Sequence, residues 1–360
     1  MPGEPLPANS TISPAGVQPD LQTPTVIAYT FKLQQALGAN TVLNLGYAGS
    51  HAYHEIVSVD TNQPFATICP ATPCPASYAV GTVYYPPNAP LRNPRLGSAW
   101  TWMSEGVSSY NALQVDVNRR FSNGLQLRGI YTWSKVLDTG DTLNGSAAAN
   151  APGLVMNADN LAADKGRGTF DIAHATAISG TYELPVGRGR RFLNSLAGAP
   201  QFLLGGWSLN AIATLRSGFP FTPELSFNPS NNGNTTNPIR PSLNPAFQGN
   251  VIEGTPNRWF NPNAFVVPAN GTYGNLGRNV LDGPGLSEVD LSLMKDMRLR
   301  ERLHLQFRAE AFNVFNTANF NTPNLITFTS ATAPASSTAG VITSTATTSR
   351  QLQFALKMLW

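Results

Sequence analysis

The residues with the richest chemistry in this 360-residue chain are scattered along it. His51-Ala52-Tyr53-His54-Glu55 offers two imidazoles and a carboxylate, the donors of a metal site with a base beside it. In an extended chain successive side chains alternate sides, so His51 and His54 would point away from each other. Ser134, Asp138 and His174 are the residue types of a nucleophilic triad, yet no serine sits in the glycine-flanked turn that exposes a nucleophile. Gly187-Arg188-Gly189-Arg190-Arg191 has the glycines of a phosphate loop but neither the Lys-Ser/Thr ending nor a helix after it, and a solvated turn is the simpler account. Cys69 and Cys74, in ICPATPCP, suit a small loop disulfide in an oxidising compartment; zinc would need a second pair of ligands, which no neighbour supplies. These residues predict no enzyme, no cofactor and no metal centre.

The composition narrows the class. Charged residues make up 12% of the chain, about half the ~25% usual in soluble domains, while Gly 31 and Pro 29 mark a chain rich in turns. A net charge of +3, with no run of Lys or Arg, gives no footprint for nucleic acid. No apolar run reaches about 18 residues, so no transmembrane helix is expected. The opening MPGEPLPANSTISPAG lacks the basic and apolar regions of a signal peptide. A membrane β-barrel stays open, because its strands alternate and never form long apolar runs.

Alternation at period two does recur, in about nine segments. They run from Thr25 to Leu37, Thr41 to Ser50, Tyr110 to Phe121, Leu125 to Leu137, His174 to Leu184, Gly206 to Phe219, Leu286 to Met297, Arg302 to Phe315, and over the terminal RQLQFALKMLW. No segment keeps a helical period over about eleven residues. The connections alternate as well. Short links fall at Gly38-Ala39-Asn40, Ser122-Asn123-Gly124 and near Arg298–Glu301, with a medium one from Pro185 to Gly205. Long ones cover Ala52 to Ser109, Asp138 to Ala173, Pro220 to Gly285 and Asn316 to Ser349. That is the plan of an antiparallel up-and-down transmembrane barrel, with turns on one side of a membrane and large loops on the other. The loop NPSNNGNTTNPIRPSLNP (228–245) reads only as exposed and turn-rich.

On this plan each strand shows an apolar face to lipid and a polar face to the lumen. Asp116, Arg128, Arg216, Asp290, His304, Arg308 and Glu310 are the lumen-facing charges. They would line a ligand path or form a cross-strand salt-bridge lattice, the latter being the simpler reading. Phe121, Tyr182, Trp207 and Trp360 fall at the short-turn ends of their segments and Tyr131 and Trp133 toward the long-loop end, as rings at two headgroup levels would. Leu125 to Trp133 covers roughly 26 Å of strand, about 20 Å when tilted, close to the ~25 Å apolar band of such barrels. A soluble sandwich would bury the same apolar stripes against a second sheet, so a secreted or cell-surface β-rich binding protein, adhesin or lectin-like, is the alternative.

The ordered blocks SSYNALQV (108–115), RRFSNGL (119–125), YTWSK (131–135), YELPVGRG (182–189), GGW (205–207), FRAEAFNVFN (307–316) and RQLQFALKMLW together resemble the C-terminal barrel portion of Oar-like TonB-dependent outer-membrane transporters, from about Pro24 onward. The resemblance implies an all-β wall segment of a larger barrel of ~22 strands, with residues 1–23 a Pro-rich loop remnant and 24–360 barrel. It implies long extracellular loops, short periplasmic turns and a terminal strand (Phe354, Leu356, Met358, Trp360) read by the barrel-assembly machinery. The implied partners are outer-membrane lipid, an unknown bulky solute, and a TonB complex acting through a plug. The chain shows no plug, no TonB-contacting segment and no signal peptide, so a fragment or truncated reading frame is expected.

Overall fold

In the computed structural model nine strands follow one another in chain order through one antiparallel meander, without a crossover. The structure describes residues 11–74, 78–140, 155–233, 239–298 and 303–360. The expected turn at Leu299-Arg300-Glu301, the start of the eighth segment at Arg302, the first ten residues and part of the Asn-rich loop lie outside them. The strands are β1 (Thr25–Ala36), β2 (Thr41–Asp60), β3 (Trp100–Ser122), β4 (Leu125–Asp138), β5 (His174–Glu183), β6 (Trp207–Arg216), β7 (Leu286–Arg298), β8 (His304–Phe312) and β9 (Gln351–Leu359). Among the described residues the wall is open: β1 pairs only with β2, and β9 only with β8. No described helix is long and apolar enough to cross a membrane.

Local chemistry sets the turns. Asn123 and Gly124 both take positive φ, 52° and 82°, the mirror-image turn whose twist matches the strands it joins. The β3–β4 hairpin therefore needs only Ser122 to Leu125 to close. Gly38, at φ 89°, serves the β1–β2 turn. Gly49 has another use: the Tyr29 ring lies over it, and a Cβ there would come within 2.4 Å of that ring.

The cross-strand register sorts the side chains into two faces. Phe31, Tyr47, Leu113 and Trp133 stand in one row across β1 to β4. Tyr182, Leu209, Leu293, Ala309 and Phe354 stand in another across β5 to β9, on the same face. That face is bare. Phe31 is 69% exposed, Trp133 56%, Phe354 70% and Leu356 66%, so no second layer of protein covers it. The sandwich alternative fails here.

The core lies elsewhere, in the long connections. Phe221, Leu225, Ile239, Phe260, Phe265, Leu276, Leu325 and Phe328 pack into one buried cluster drawn from the β6–β7 and β8–β9 loops. Phe260 holds the centre, its ring centroid 5.6 Å from Phe221 and 6.0 Å from Phe265. Glu224–Leu225 and Ile326–Phe328 pair in parallel and join the two loops. A second small core, Val57, Val59 and Val155, lies where β2 and β3 rise beyond the wall.

Three features differ from the sequence expectation. β2 and β3 continue about ten residues past the expected ends, as an antiparallel pair through residues 51–60 and 100–109. Their alternation is lost at a bulge where His54 takes φ 59°, and beyond it Val57 to Asp60 are buried on both faces. A single short helix, α1 (Gly198–Leu204), forms inside the medium link. Ala15–Val17 pairs in parallel with Trp100–Trp102, so part of the Pro-rich segment adds to the sheet.

Candidate functional site

The residues picked out for chemistry do not converge. The Ser134 hydroxyl donates to the Ile172 carbonyl at 2.8 Å. His174 Nδ1 meets the Tyr131 hydroxyl at 2.8 Å. Asp138 is held by Arg278. Each member of the hypothetical triad thus has a different partner. Glu55 accepts from Ser108 at 2.9 Å, and no group of metal-ligating side chains gathers among the described residues. Arg190 in the glycine-rich turn pairs with Glu183 at 2.5 Å, and the Arg188 amide donates to the Gln201 side chain at 2.7 Å. Cys69 and Cys74 stand as a disulfide pair, Cα atoms 5.8 Å apart.

What does converge is the polar face of the wall. Gln126, Thr181, Asn210, Ser292, Glu310 and Gln353 form one unbroken row across β4 to β9. Thr181 donates to Asn210 at 2.8 Å, and Ser292 reaches Glu310 at 3.4 Å. Asp116, Arg128, Arg216, Asp290, His304, Arg308 and Glu310 all share this face with that row. Only Asp116 and Arg128 among the seven join each other, at 3.2 Å. The rest have separate neighbours: the Asp290 carboxylate accepts from the Asn313 amide at 2.8 Å, Arg216 lies 4.3 Å over the Phe219 ring, His304 stands 3.5 Å from Asp296, and Arg308 donates to Gln306 at 3.1 Å. One ion pair does not make a lattice. The face reads as a polar surface with charges distributed along it.

Above this face the loops are fastened by a buried network that the sequence did not reveal. Arg278, from the β6–β7 loop, pairs with Asp138 at the top of β4 and donates to the Asp164 carbonyl at 2.7 Å. Arg240 pairs with the Asp164 carboxylate and donates to the Ala163 carbonyl at 2.9 Å. Asp164 also accepts from the Met156 amide at 2.7 Å. Nearer the outside Arg167 bridges Asp171, at 2.8 Å, and Asp282, at 2.6 Å. Two loops, 139–173 and 217–285, are thereby clamped together over the wall. Beside the clamp Glu224 is half-buried near Arg240, and burial pushes its carboxyl up to about 7 against the pull of that guanidinium. Burial and the nearby Tyr85 hydroxyl likewise raise Tyr273, which bonds Asn232 at 2.9 Å and Gln63 at 3.2 Å.

The apolar face carries rings at both ends. Tyr29 and Tyr47 stack at 6.1 Å and both donate to Asn111, close to the exposed Trp133. Tyr182 and Trp207 mark the opposite end. An open sheet with a bare apolar face, a polar reverse and two aromatic levels is a wall made to stand in lipid. The family model for the outer membrane beta barrel domain matches residues 1–353. The chain belongs to that family.

It is accordingly a protein of the outer membrane. Similar solved structures include the outer membrane transporter YddB from Escherichia coli, at 11% identity and TM-score 0.47, covering 97% of this chain and 35% of that one. The FrpB iron transporter from Neisseria meningitidis aligns at 10% identity and TM-score 0.41, over 96% of this chain and 32% of that one. The ferric-catecholate import receptor Fiu from Escherichia coli K12 aligns at 13% identity and TM-score 0.36, over 93% and 28%. The chain thus spans about a third of the length of these structures. Among curated proteins none matches it.

Proposed function

We propose that this outer-membrane β-barrel domain forms part of the wall of an Oar-like, TonB-dependent transporter, passing a bulky solute along its polar face without catalysis. The observation that carries this reading is the bare apolar face: Leu, Phe and Trp side chains stand exposed along it, while the buried core sits in the loops. In water such a face would cost roughly 1.5–3 kcal/mol for each large side chain left uncovered. Acyl chains remove that cost.

The reverse face, with Asp116, Arg128, Arg216, Asp290, His304, Arg308 and Glu310, then lines a water-filled interior. The short turns near Gly38, Ser122 and Arg188 lie in the periplasm and the clamped loops outside the cell. The unpaired edges of β1 and β9 meet further strands of a larger barrel, because an edge left in lipid strands several backbone N–H and C=O groups. The plug, the TonB contact and the energy input belong to parts of such a transporter beyond this wall segment. Phe354, Leu356, Met358 and Trp360 present the terminal strand to the assembly machinery. Cys69 and Cys74 close a small extracellular disulfide, which alkylation before and after reduction checks.

Face-specific labelling tests the assignment. In a C69S/C74S background in detergent micelles, N210C should react quickly with a charged maleimide and its neighbour L209C slowly. Equal rates at the two positions would refute a wall with one lipid face and one wet face.

A further inference from the structure

Lys295 breaks the pattern of the wall. It stands in the row Trp207, Lys295, Phe307, Leu356, which lies on the apolar face, yet it is only 5% exposed. What buries it is the link between β5 and β6. Its ammonium donates to the carbonyls of Leu203 at 2.9 Å and Gly205 at 2.8 Å, and lies 4.5 Å over the Trp207 ring. Trp207 Nε1 donates to the same Leu203 carbonyl at 3.0 Å. The C-terminal end of α1 is therefore pinned to the lipid side of the wall, at the short-turn rim. A lysine on a lipid-facing surface is costly unless its charge is satisfied; here helix carbonyls satisfy it.

So placed, the link presents its apolar residues outward. Phe202, Leu203 and Leu204 of α1 are 43%, 63% and 49% exposed, and Phe192 and Leu193 before it are each 53% exposed. They continue the bare apolar belt below Trp207. Among them are exposed cations. Arg191 stacks on Phe192 at 5.5 Å, and Arg188 stands three residues earlier, while Arg190 is already neutralised by Glu183. Beside α1, at the rim where the two faces of the wall meet, a cleft of about 490 Å³ is lined by Gln201, Phe202, Asp296, Met297, Arg298 and His304. Greasy side chains next to unpaired guanidinium groups at the edge of a lipid belt suit a surface that lies in the headgroup layer.

We infer that residues 188–204 form an anchor in the near membrane leaflet, binding phospholipids with anionic headgroups: Arg188 and Arg191 take the phosphate, and Phe202, Leu203 and Leu204 lie among the acyl chains. The commitment to lipid rests on continuity with the apolar face and on the charge of the rim. The inference uses the lipid-facing assignment of that face but neither the transport reading nor the periplasmic orientation.

Native mass spectrometry of the 360-residue chain in dodecyl maltoside tests it. The micelles are doped with phosphatidylglycerol, with phosphatidylcholine, or with phosphatidylglycerol plus excess inorganic phosphate. Phosphatidylglycerol should be retained over phosphatidylcholine and should survive the phosphate. R188Q/R191Q and L203S/L204S should each lower its retention about tenfold, while R95Q, a change to an exposed loop arginine, should leave it unchanged. Circular dichroism shows whether each variant keeps its strands. Equal retention of the two lipids, displacement by inorganic phosphate, or unchanged retention in either double variant would overturn the anchor. None of these outcomes bears on the labelling of positions 209 and 210, so failure of the anchor leaves the wall assignment standing, and failure of the labelling is read on its own.

Discussion

Glu224 is the residue whose charge state should be felt in the loops. It begins the parallel join between the β6–β7 and β8–β9 loops, where its amide donates to the Leu325 carbonyl at 2.9 Å and its carbonyl accepts from Thr327 at 2.8 Å. Its carboxyl is raised from 4.5 to about 7 by burial, with Arg240 opposing. The folded loops therefore hold this proton more tightly than the unfolded chain does. Stability is full below pH 4.5, falls as pH rises toward 7 by up to about 3 kcal/mol, and is level above that. Amide exchange of residues 220–225 and 325–328, corrected for intrinsic rate, should quicken from pH 5 to pH 7, and E224Q should abolish the change. Arg278 makes a different prediction. R278M leaves the Asp138 carboxylate buried without its guanidinium, a loss of about 3 kcal/mol, and unties both loops at once. Protease cutting within the 139–173 and 217–285 loops should rise together, with strand content unchanged.

At the scale of the elements the two faces have unequal tolerance, and neighbouring residues of β7 show it. Leu293 is on the apolar face and Ser292 on the polar one. L293R should destabilise the wall by about 2–4 kcal/mol in lipid bicelles, whereas S292R should cost little; urea unfolding reads the difference. This contrast was legible in the sequence because alternation is a property of adjacent residues. The same is true of the nine strands, whose observed limits lie within about three residues of those expected except where β2 and β3 rise among the loops. There both faces are buried, so the period that marks a half-buried strand vanishes, and the His54 bulge shifts what remains. α1 escaped notice because seven residues are too few to display a helical period. The loop core and the clamp were illegible for a deeper reason. Arg278 finds Asp138 from 140 residues away, and Phe221, Ile239 and Phe260 stand in Pro-, Asn- and Gly-rich stretches that locally read only as turns. Pairing at that distance is written in the fold and not in any window of sequence.

The whole molecule is a wall with two raw edges beneath a well-packed set of loops. β1 offers twelve residues and β9 nine, each hydrogen-bonded along one side only. The same sheet that pairs each inner strand on two sides leaves alternate N–H and C=O groups of β1 and β9 pointing at whatever lies beside them. In hydrocarbon each such group costs several kcal/mol, far more than a curled sheet recovers by burying its apolar face. The 360 residues alone should therefore hold their loops and strands in detergent but form no sealed pore in a bilayer. Planar-bilayer recordings should show no unit conductance, and gel mobility in detergent should not change on heating as it does for closed barrels. Supplying the complementary strands of a larger barrel should restore both signals. A steady unit conductance from the isolated chain would mean that β1 and β9 find each other, and the wall would then be a small closed barrel in its own right. The polar rows on its inner face would in that case be too crowded to pass a bulky solute, and the transport proposal would fall with the open edges.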